Sequence, residues 1–377
     1  MADTTQIPWY KQTLHRSTYS LSFNTPAFLG DAEQFGGWRT PPIKALLRFW
    51  WRIASWPAME GDIARLREAE KALFGGIGQN GEEKNAAQRS LVQLRLEPWE
   101  DGKLTIDNTL QSYSYLGYGP LGTDTEGSKE QTKDTRTRNA ITPGSRHTKL
   151  IITHPADIDL TPTLQLIQWF GTLGSRSANG WGSLHIEELQ TAVSPLPVES
   201  NLKACFSHNW PHTIGYDDTG LLIWKTPVRP SWEQAMKQLA QIKKSIRTKA
   251  KGEADGDDVT HFRSEPQKDQ TAAGVHLLGY PVGDKPKKGK HLPTWKLAEW
   301  PDDARITSQL RFKVIRQHHN GKDQYYGLIY HLPHSLPIEQ PWLQANQLSI
   351  WQALHKELDS NTQLNVQRFT PTQQGAQ

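Results

Sequence analysis

Apolar and polar residues recur along the first half of the chain with spacings that alternate between those of strands and helices. A two-residue period is typical of a half-buried strand, and recurrence every three to four residues is typical of a helix. These periods predict strands over residues 19–23, 90–96, 149–153 and 183–189, and helices over residues 43–55, 60–75 and 161–170. Two strand–helix units with a strand pair between them predict a βαββαβ, ferredoxin-like sheet.

The second half carries a similar order of elements. Residues 192–200 contain two prolines and predict an extended linker before it. The pattern then predicts strands over residues 220–225, 310–316 and 326–332, helices over residues 232–248 and 343–358, and a hairpin turn at Asn320 and Gly321. We therefore expect an α+β protein with tandem ferredoxin-like (RRM-like) domains over residues 1–195 and 200–370, and a disordered tail over residues 371–377.

The helix predicted over residues 43–55 has one apolar side and one basic side. Lys44, Arg48 and Arg52 recur every fourth residue, and no carboxylate lies between Glu33 and Glu60. Like charges at this spacing repel one another, so an anionic ligand would relieve the repulsion. A solvated basic face without a ligand is the alternative, and this helix alone does not decide between them.

Two neighbouring segments form the first distinctive motif. They read Phe23-Asn-Thr-Pro-Ala-Phe-Leu-Gly30 and Arg39-x-Pro-x-x-Lys44-x-x-x-Arg48-Phe-Trp-Trp-Arg52. Together they resemble the opening of the first Cmr subunit of type III-B CRISPR effector complexes, which is a RAMP protein. Ala45 departs from this pattern, because the family commonly has glycine after the lysine.

A second motif reads Phe170-Gly-Thr-Leu-Gly-Ser-Arg-Ser-Ala-Asn-Gly-Trp-Gly-Ser183. It resembles the glycine-rich loop that defines the RAMP superfamily, and the resemblance implies contact with an RNA backbone. Gly174, Gly180 and Gly182 would let the chain approach a phosphate, and Arg176 would supply charge. The alternative is a tight connection in which the glycines only provide positive φ. The loop lacks the Lys-Ser/Thr of a P-loop, so ATP is not an expected ligand.

Composition limits the remaining possibilities. A net charge of +4 over 377 residues does not support a uniformly basic surface, so nucleic-acid binding would depend on local patches. The single cysteine excludes disulfides within the chain and argues for a cytoplasmic protein. We expect neither an export signal nor a membrane span. Most of the fifteen tryptophans are expected in the core, with Trp38 and Trp51 as weaker candidates for base stacking.

Histidine and carboxylate chemistry gives no distinct active site. The pairs His208/His212, His318/His319 and His331/His334 lack the nearby cysteine or carboxylates of a metal site. Residues 256–258 read Gly-Asp-Asp but lack apolar flanks, which favours an acidic loop. Some RAMP relatives cleave RNA without a metal through a histidine, and His15, His147 and His154 are the corresponding candidates here.

The resemblance implies a non-catalytic RNA-binding subunit of a Cmr complex in antiviral defence, without cofactor or metal. Its partners would be the 3′ part of the guide RNA, the paired target RNA at the head end of the complex, and other Cmr subunits. The expected phosphate-binding residues are Arg39, Lys44, Arg48, Arg52 and Arg176, with Gly174, Gly180 and Gly182 as backbone contacts. Two alternatives remain open, a guide-processing endoribonuclease of the same superfamily and a purely structural cap.

Overall fold

The protein is a mixed α and β structure built on antiparallel sheets, as the sequence predicts. No helix in the described part of the chain is both long and apolar enough to cross a membrane. The computed structural model describes residues 13–30, 36–76, 88–97, 113–117, 120–121, 139–144, 148–187, 189, 196–247, 274–279, 300 and 304–371. The candidate general base His147, the Gly-Asp-Asp segment and most of the predicted tail lie outside these residues.

The first half forms a four-stranded sheet with helices against it. Its elements are β1 (Leu14–Phe23), α1 (Thr40–Ser55), α2 (Ile63–Phe74), β2 (Gln93–Glu97), β3 (Thr148–Pro155), α3 (Thr161–Phe170) and β4 (Leu184–Ile186). The strands lie in the order β2-β3-β1-β4, and each neighbouring pair is antiparallel. This is the order that a βαββαβ chain produces when each crossover passes one intervening strand.

A small three-stranded sheet follows, whose first strand lies within the predicted linker and whose last strand lies at the start of the strand predicted over residues 220–225. Its strands are β5 (Val198–Glu199), β6 (Ile214–Asp217) and β7 (Gly220–Leu221). Strand β5 is parallel to β6, and β6 is antiparallel to β7. The linker prediction is therefore wrong at its end, because Val198 and Glu199 pair with β6. A two-residue strand is too short to show a period in the sequence.

The second half forms another four-stranded antiparallel sheet. Its elements are β8 (Ile223–Lys225), α4 (Trp232–Arg247), β9 (Leu310–His319), β10 (Lys322–His331), α5 (Pro341–Ser360) and β11 (Gln367–Arg368). The strand order is β11-β8-β10-β9. Renumbered within this half, that order matches the order of the first sheet. The predicted hairpin turn joins β9 to β10, with positive φ angles of 50° at Asn320 and 73° at Gly321.

Helices α1 and α3 lie between the two sheets. One face of the second sheet carries Tyr326, Leu328 and Tyr330 into the core that contains both helices and the inner face of the first sheet. The opposite face carries Phe312 and Ile329 into a second core with α4 and α5. The order of layers is thus sheet, helices, sheet, helices, so α1 packs against the first sheet on one side and the second sheet on the other.

Local sequence explains where the first two helices begin and end. Helix α1 has Pro41 and Pro42 in its first turn, where a missing N–H costs nothing, and it continues into a short 3₁₀ helix, Trp56–Met59. Asp62 caps α2 by accepting a hydrogen bond from the Arg65 amide at 3.0 Å. Helix α2 ends at Gly75, whose φ is 78°. The other 3₁₀ helices are Ser114–Leu116, Ala204–Ser207 and Gly274–Leu278.

A pair of histidines is buried between β10 and α5. His355 Nε2 lies 3.0 Å from His331 Nδ1, a hydrogen-bond distance, and the His331 ring packs 4.1 Å from that of Trp351. Burial lowers the pKa of His331 well below its ordinary value and that of His355 to about 3. Burial also lowers the pKa of the neighbouring His334 to about 4. All three side chains are therefore neutral in the folded protein at neutral pH.

These histidines predict a loss of stability in mild acid. In the unfolded chain they take up protons near pH 6.5, whereas the folded chain resists protonation, so stability is full above pH 6.5 and falls as the pH decreases toward 4. Each histidine contributes up to about 1.4 kcal/mol per pH unit. Denaturant unfolding of His355→Gln between pH 7.5 and 4.5 should show a shallower pH dependence than wild type. The exposed His319→Gln serves as the control, and equal slopes for all three proteins would contradict the prediction.

Candidate nucleic-acid interface

Helix α1 positions a stripe of three basic side chains, as predicted. Ile43, Leu47 and Trp50 are buried on one side, while Lys44, Arg48 and Arg52 are half-buried on another. Eight residues separate the first and last of these cations, which corresponds to about 12 Å along the helix axis. We name Lys44, Arg48 and Arg52 the α1 stripe.

Glu70 on α2 partly neutralises the α1 stripe. Its Oε1 accepts a hydrogen bond from Arg48 Nε at 2.8 Å and another from Arg52 Nη1 at 2.8 Å. The Glu70 side chain is 10% exposed, against 38% for that of Arg48 and 33% for that of Arg52. The helix itself carries no carboxylate, as its sequence shows, but α2 folds back and brings a glutamate distant in sequence against it.

Lys44 lies beyond this ion pair and lines a cleft of about 400 Å³ between α1 and β2, an edge strand of the first sheet. Burial and the neighbouring Arg48 charge lower the pKa of the Lys44 amine. Because Pro41 and Pro42 have no N–H, the helix N-terminus offers few backbone donors, and anion binding would depend on side chains. The cleft is lined by Thr40, Pro41, Lys44, Arg89, Ser90, Val92, Gln93 and Leu94.

Arg39 is set apart from the stripe by its own contact. It occupies the N-cap position of α1 in extended conformation, and its Nη2 donates a hydrogen bond to the Gly30 carbonyl. The side chain is half-buried. Arg39 therefore fastens the start of α1 to the preceding segment, and the structure does not bring it into the cleft lining.

Residues 171–183, which we name the glycine loop, connect α3 to β4 through contacts within the chain. Gly180 and Gly182 are buried, and their amides donate to the carbonyls of Ser177 and Pro26 at 3.0 and 2.9 Å. Because these amides already donate within the chain, an RNA backbone contact at these two glycines would depend on close approach of the chain and not on a free amide. Both residues have positive φ, 89° at Gly180 and 61° at Gly182, as the alternative interpretation required.

Gly174 and Arg176 lie at a more accessible part of the glycine loop. Gly174 has a φ of 94°, and a Cβ at this position would lie 2.6 Å from the Phe28 carbonyl oxygen, so close packing demands glycine here. Arg176 is exposed and has a φ of 58°, an uncommon angle for arginine. The charge of Arg176 acts on Lys243 of α4. No pattern in the sequence indicates that Lys243, 64 residues after Asn179, would lie beside this loop.

Tryptophans predicted as weaker stacking candidates are in the core. Trp38 is 5% exposed and stacks on Phe23, and Trp51 is 8% exposed and packs against Phe74. Neither presents a free face to a base. Trp56 is more exposed than Trp38 and Trp51 and is a better candidate for base stacking. The sequence did not single it out, although it follows Arg52 by the same four-residue spacing. It is half-buried, and its ring contacts those of His208, Trp210 and His212, with centroids 5.0, 5.1 and 5.4 Å away.

Two of the three histidine candidates lie side by side. His15 and His154 are cross-strand partners on β1 and β3, with ring centroids 5.2 Å apart. His15 is exposed and its Nε2 lies 2.8 Å from Ser17 Oγ, whereas His154 is 6% exposed with Nδ1 2.9 Å from the Pro155 carbonyl oxygen. Among the residues that the structure describes, no three histidine, cysteine, aspartate or glutamate side chains are arranged to hold a metal ion.

The comparison with protein families agrees with the motifs. Residues 20–185 match the model of the RAMP superfamily, which confirms the resemblance for this part of the chain. The solved structure of Cmr1 from Pyrococcus furiosus, in its apo form, is similar to 94% of this chain and 98% of that chain. The sequence identity is 13% and the TM-score is 0.47. No curated protein matches the sequence.

Alanine substitutions at two glycines with positive φ, one inside the glycine loop and one outside it, should differ greatly in their cost to stability. A Cβ at Gly182 would lie 1.9 Å from the Leu173 carbonyl oxygen, whereas Gly61, with a φ of 84°, has nothing within 4 Å of the corresponding position. We expect Gly61→Ala to cost about 1 kcal/mol of stability through its backbone angle alone. Gly182→Ala should cost more than about 4 kcal/mol or prevent folding.

Thermal unfolding of the two variants measures this difference. Because the left-handed backbone is common to both glycines, the excess loss in Gly182→Ala reports the collision with the Leu173 backbone. Equal melting temperatures for the two variants would show that the glycine loop yields without cost and that its glycines are not required for packing.

Proposed function

We propose that the chain is a non-catalytic RNA-binding subunit of a type III-B CRISPR (Cmr) effector complex. In this proposal it lies at the head end, contacts the 3′ region of the guide RNA and the paired target RNA, and binds other Cmr subunits. Its two halves, residues 1–195 and 200–370, are tandem ferredoxin-like RAMP domains. The match of residues 20–185 to the RAMP superfamily and the shared strand order of the two sheets support this proposal.

The observation that carries the proposal is the α1 stripe beside the Lys44 cleft. Phosphates along an extended RNA strand recur about every 6 to 7 Å, so a stripe about 12 Å long is matched to two or three of them. Contacts of this kind grip RNA without reading its sequence, which leaves recognition of the target to base pairing. Trp56, half-buried one turn beyond Arg52, is placed to stack on a base at the end of the stripe.

Glu70 makes the three cations unequal in this role. It shares one carboxylate oxygen between Arg48 and Arg52, while the described structure gives Lys44 no ion pair. A phosphate approaching Lys44 would offset both the burial and the Arg48 charge that lower the lysine pKa. We therefore assign Lys44 the most direct phosphate contact. Arg48 and Arg52 would contact the RNA backbone while they remain paired with Glu70. Arg39 and Arg176 remain proposed contacts outside the stripe.

We assign no catalytic residue. The endoribonuclease alternative is favoured by one observation, the juxtaposition of His15 and His154, in which an exposed imidazole lies beside a buried one. A general acid and base need access to the same phosphodiester, and His154 is directed toward the Pro155 carbonyl. The structural cap would bind other subunits without RNA. Both alternatives are separate outcomes of the binding experiment.

The affinity for a 20-nucleotide single-stranded RNA across a salt series tests the proposed function. Removal of one phosphate-binding cation should flatten the slope of log K against log salt by about 0.7. Lys44→Ala/Arg48→Ala should therefore flatten it by about 1.4 while the fold survives. Lys44→Glu should weaken binding further, and Lys356→Glu, with the same charge change at an exposed position of α5, should not.

Three other outcomes would contradict this proposal. Binding that is absent in wild type would favour the structural cap, provided that other Cmr subunits are still recovered with the protein. RNA that is shortened by wild type and left intact by His15→Ala would favour the endoribonuclease. Equal slopes for wild type and Lys44→Ala/Arg48→Ala, with both proteins folded, would place the RNA away from α1.

Removal of the Glu70 charge should strengthen RNA binding and weaken the fold. In Glu70→Gln the two arginines keep a hydrogen-bonding partner but lose a competing carboxylate, so we expect about threefold to tenfold tighter binding. The loss of two partly exposed ion pairs should cost about 1 kcal/mol of stability. Filter binding and denaturant unfolding measure the two effects. Glu68→Gln, on an exposed position of the same helix, is the matched control.

A further inference from the structure

A second group of cations meets where the glycine loop packs on α4. The ammonium of Lys243 donates a hydrogen bond to Asn179 Oδ1, and the Asn179 amide nitrogen donates to the Leu116 carbonyl at 2.9 Å. The Asn179 backbone amide donates to the Arg176 carbonyl at 2.9 Å, which closes a turn at the tip of the loop. Arg176 is thereby held near α4.

Positive charge accumulates around Lys243. Arg247 follows it by one helical turn on the same side of α4, and Arg176 approaches from the glycine loop. The ring of Phe312, on β9, lies 5.8 Å from the Lys243 ammonium. Within the described residues, the ammonium of Lys243 bonds to the neutral amide of Asn179, and the charges that act on it are those of the two arginines.

This environment changes the protonation of Lys243. Burial first, and then the charges of Arg247 and Arg176, lower the pKa of Lys243 to about 7. At neutral pH about half of the molecules therefore carry a neutral amine at this position. A bound anion would reverse these effects, because it would compensate the guanidinium charges and favour the ammonium form.

We propose that Arg176, Lys243 and Arg247 form a second phosphate-binding site, which takes a phosphate of the RNA backbone and extends the interface to the second half of the chain. The guanidinium groups of Arg176 and Arg247 supply paired N–H donors that match phosphate oxygens. Lys243, which is half-buried, adds a third positive charge. The site rests on the proposed RNA-binding function and deepens it.

Proton uptake distinguishes this site from the α1 stripe. Binding of a phosphate requires the ammonium form of Lys243, so RNA affinity should decrease as the pH rises above the pKa of the free lysine. Between pH 6 and pH 8 at fixed ionic strength, wild type should lose about tenfold in affinity for a 20-nucleotide RNA. Lys243→Arg keeps the charge but does not titrate in this range, so its affinity should change little over the same interval.

Matched variants separate the contribution of Lys243 from other titrating groups. Lys243→Gln should bind weakly at pH 6 and also show little pH dependence, while Lys237→Gln, an exposed position of the same helix, should behave as wild type. Arg247→Ala should weaken binding at pH 6 and flatten the salt slope by about 0.7. Circular dichroism confirms that each variant is folded.

The outcomes separate this inference from the proposed function. If wild type binds RNA and both Lys243 variants retain its affinity and its pH dependence, the second site is wrong while the RNA-binding function stands. If wild type binds no RNA at any pH, the proposed function fails and this site fails with it. Loss of the pH dependence in Lys243→Arg, with binding retained, establishes the site.

Discussion

The outer edge of the second sheet is the constraint on which the arrangement of the two halves depends. Strand β9 is the last strand of that sheet, and its Phe312 and Val314 amides donate to the Ala178 carbonyl at 3.0 Å and to Ser183 Oγ at 2.8 Å. A buried amide without a partner costs about 1 to 3 kcal/mol, so this edge must be covered. The glycine loop of the first half covers it, which is why the loop must run so close to the strand.

The residue between those two amides connects the edge to the helices. Lys313 is fully buried, and its amine donates to the carbonyls of Ile167 and Gln168 at 2.9 and 2.6 Å. Carbonyls in the last turn of a helix lack partners within the helix. The Ile167 carbonyl also accepts from the Gly171 amide at 2.7 Å, so Lys313 adds to this cap at the end of α3. Helix α1 packs on the same sheet through Trp50, whose ring lies 6.4 Å from that of Tyr330 on β10. Three consecutive residues of β9 thus join the glycine loop, α3 and the second sheet.

Sequence periodicity predicted the main elements because each of them buries one face regularly. The predicted helix over residues 161–170 has the bounds of α3. The strands β9 and β10 are present, but the expected alternation is wrong in their buried halves, because the second sheet has a core on each face and Phe312, Lys313 and Val314 are buried in succession. Contacts between distant segments were not predictable in this way. Nothing in the sequence around Glu70 indicated that it would contact α1. The strands of the small sheet are too short to show a two-residue period. The glycines of the loop indicated positive φ correctly, but only the structure could show that their amides are already used.

The two cationic sites differ in the internal partner that each keeps. At the α1 stripe a carboxylate, Glu70, compensates two arginines, so a phosphate must compete with an anion already present. At α4 the internal partner of Lys243 is the neutral amide of Asn179, which accepts a hydrogen bond but supplies no negative charge to compensate an ammonium. The first arrangement orders the arginines at a cost in affinity for a phosphate, whereas in the second the cost lies in the protonation of the lysine. In the proposed function, these two arrangements would hold an RNA backbone at two places. Salt would weaken both, whereas a rise in pH would weaken mainly the α4 site.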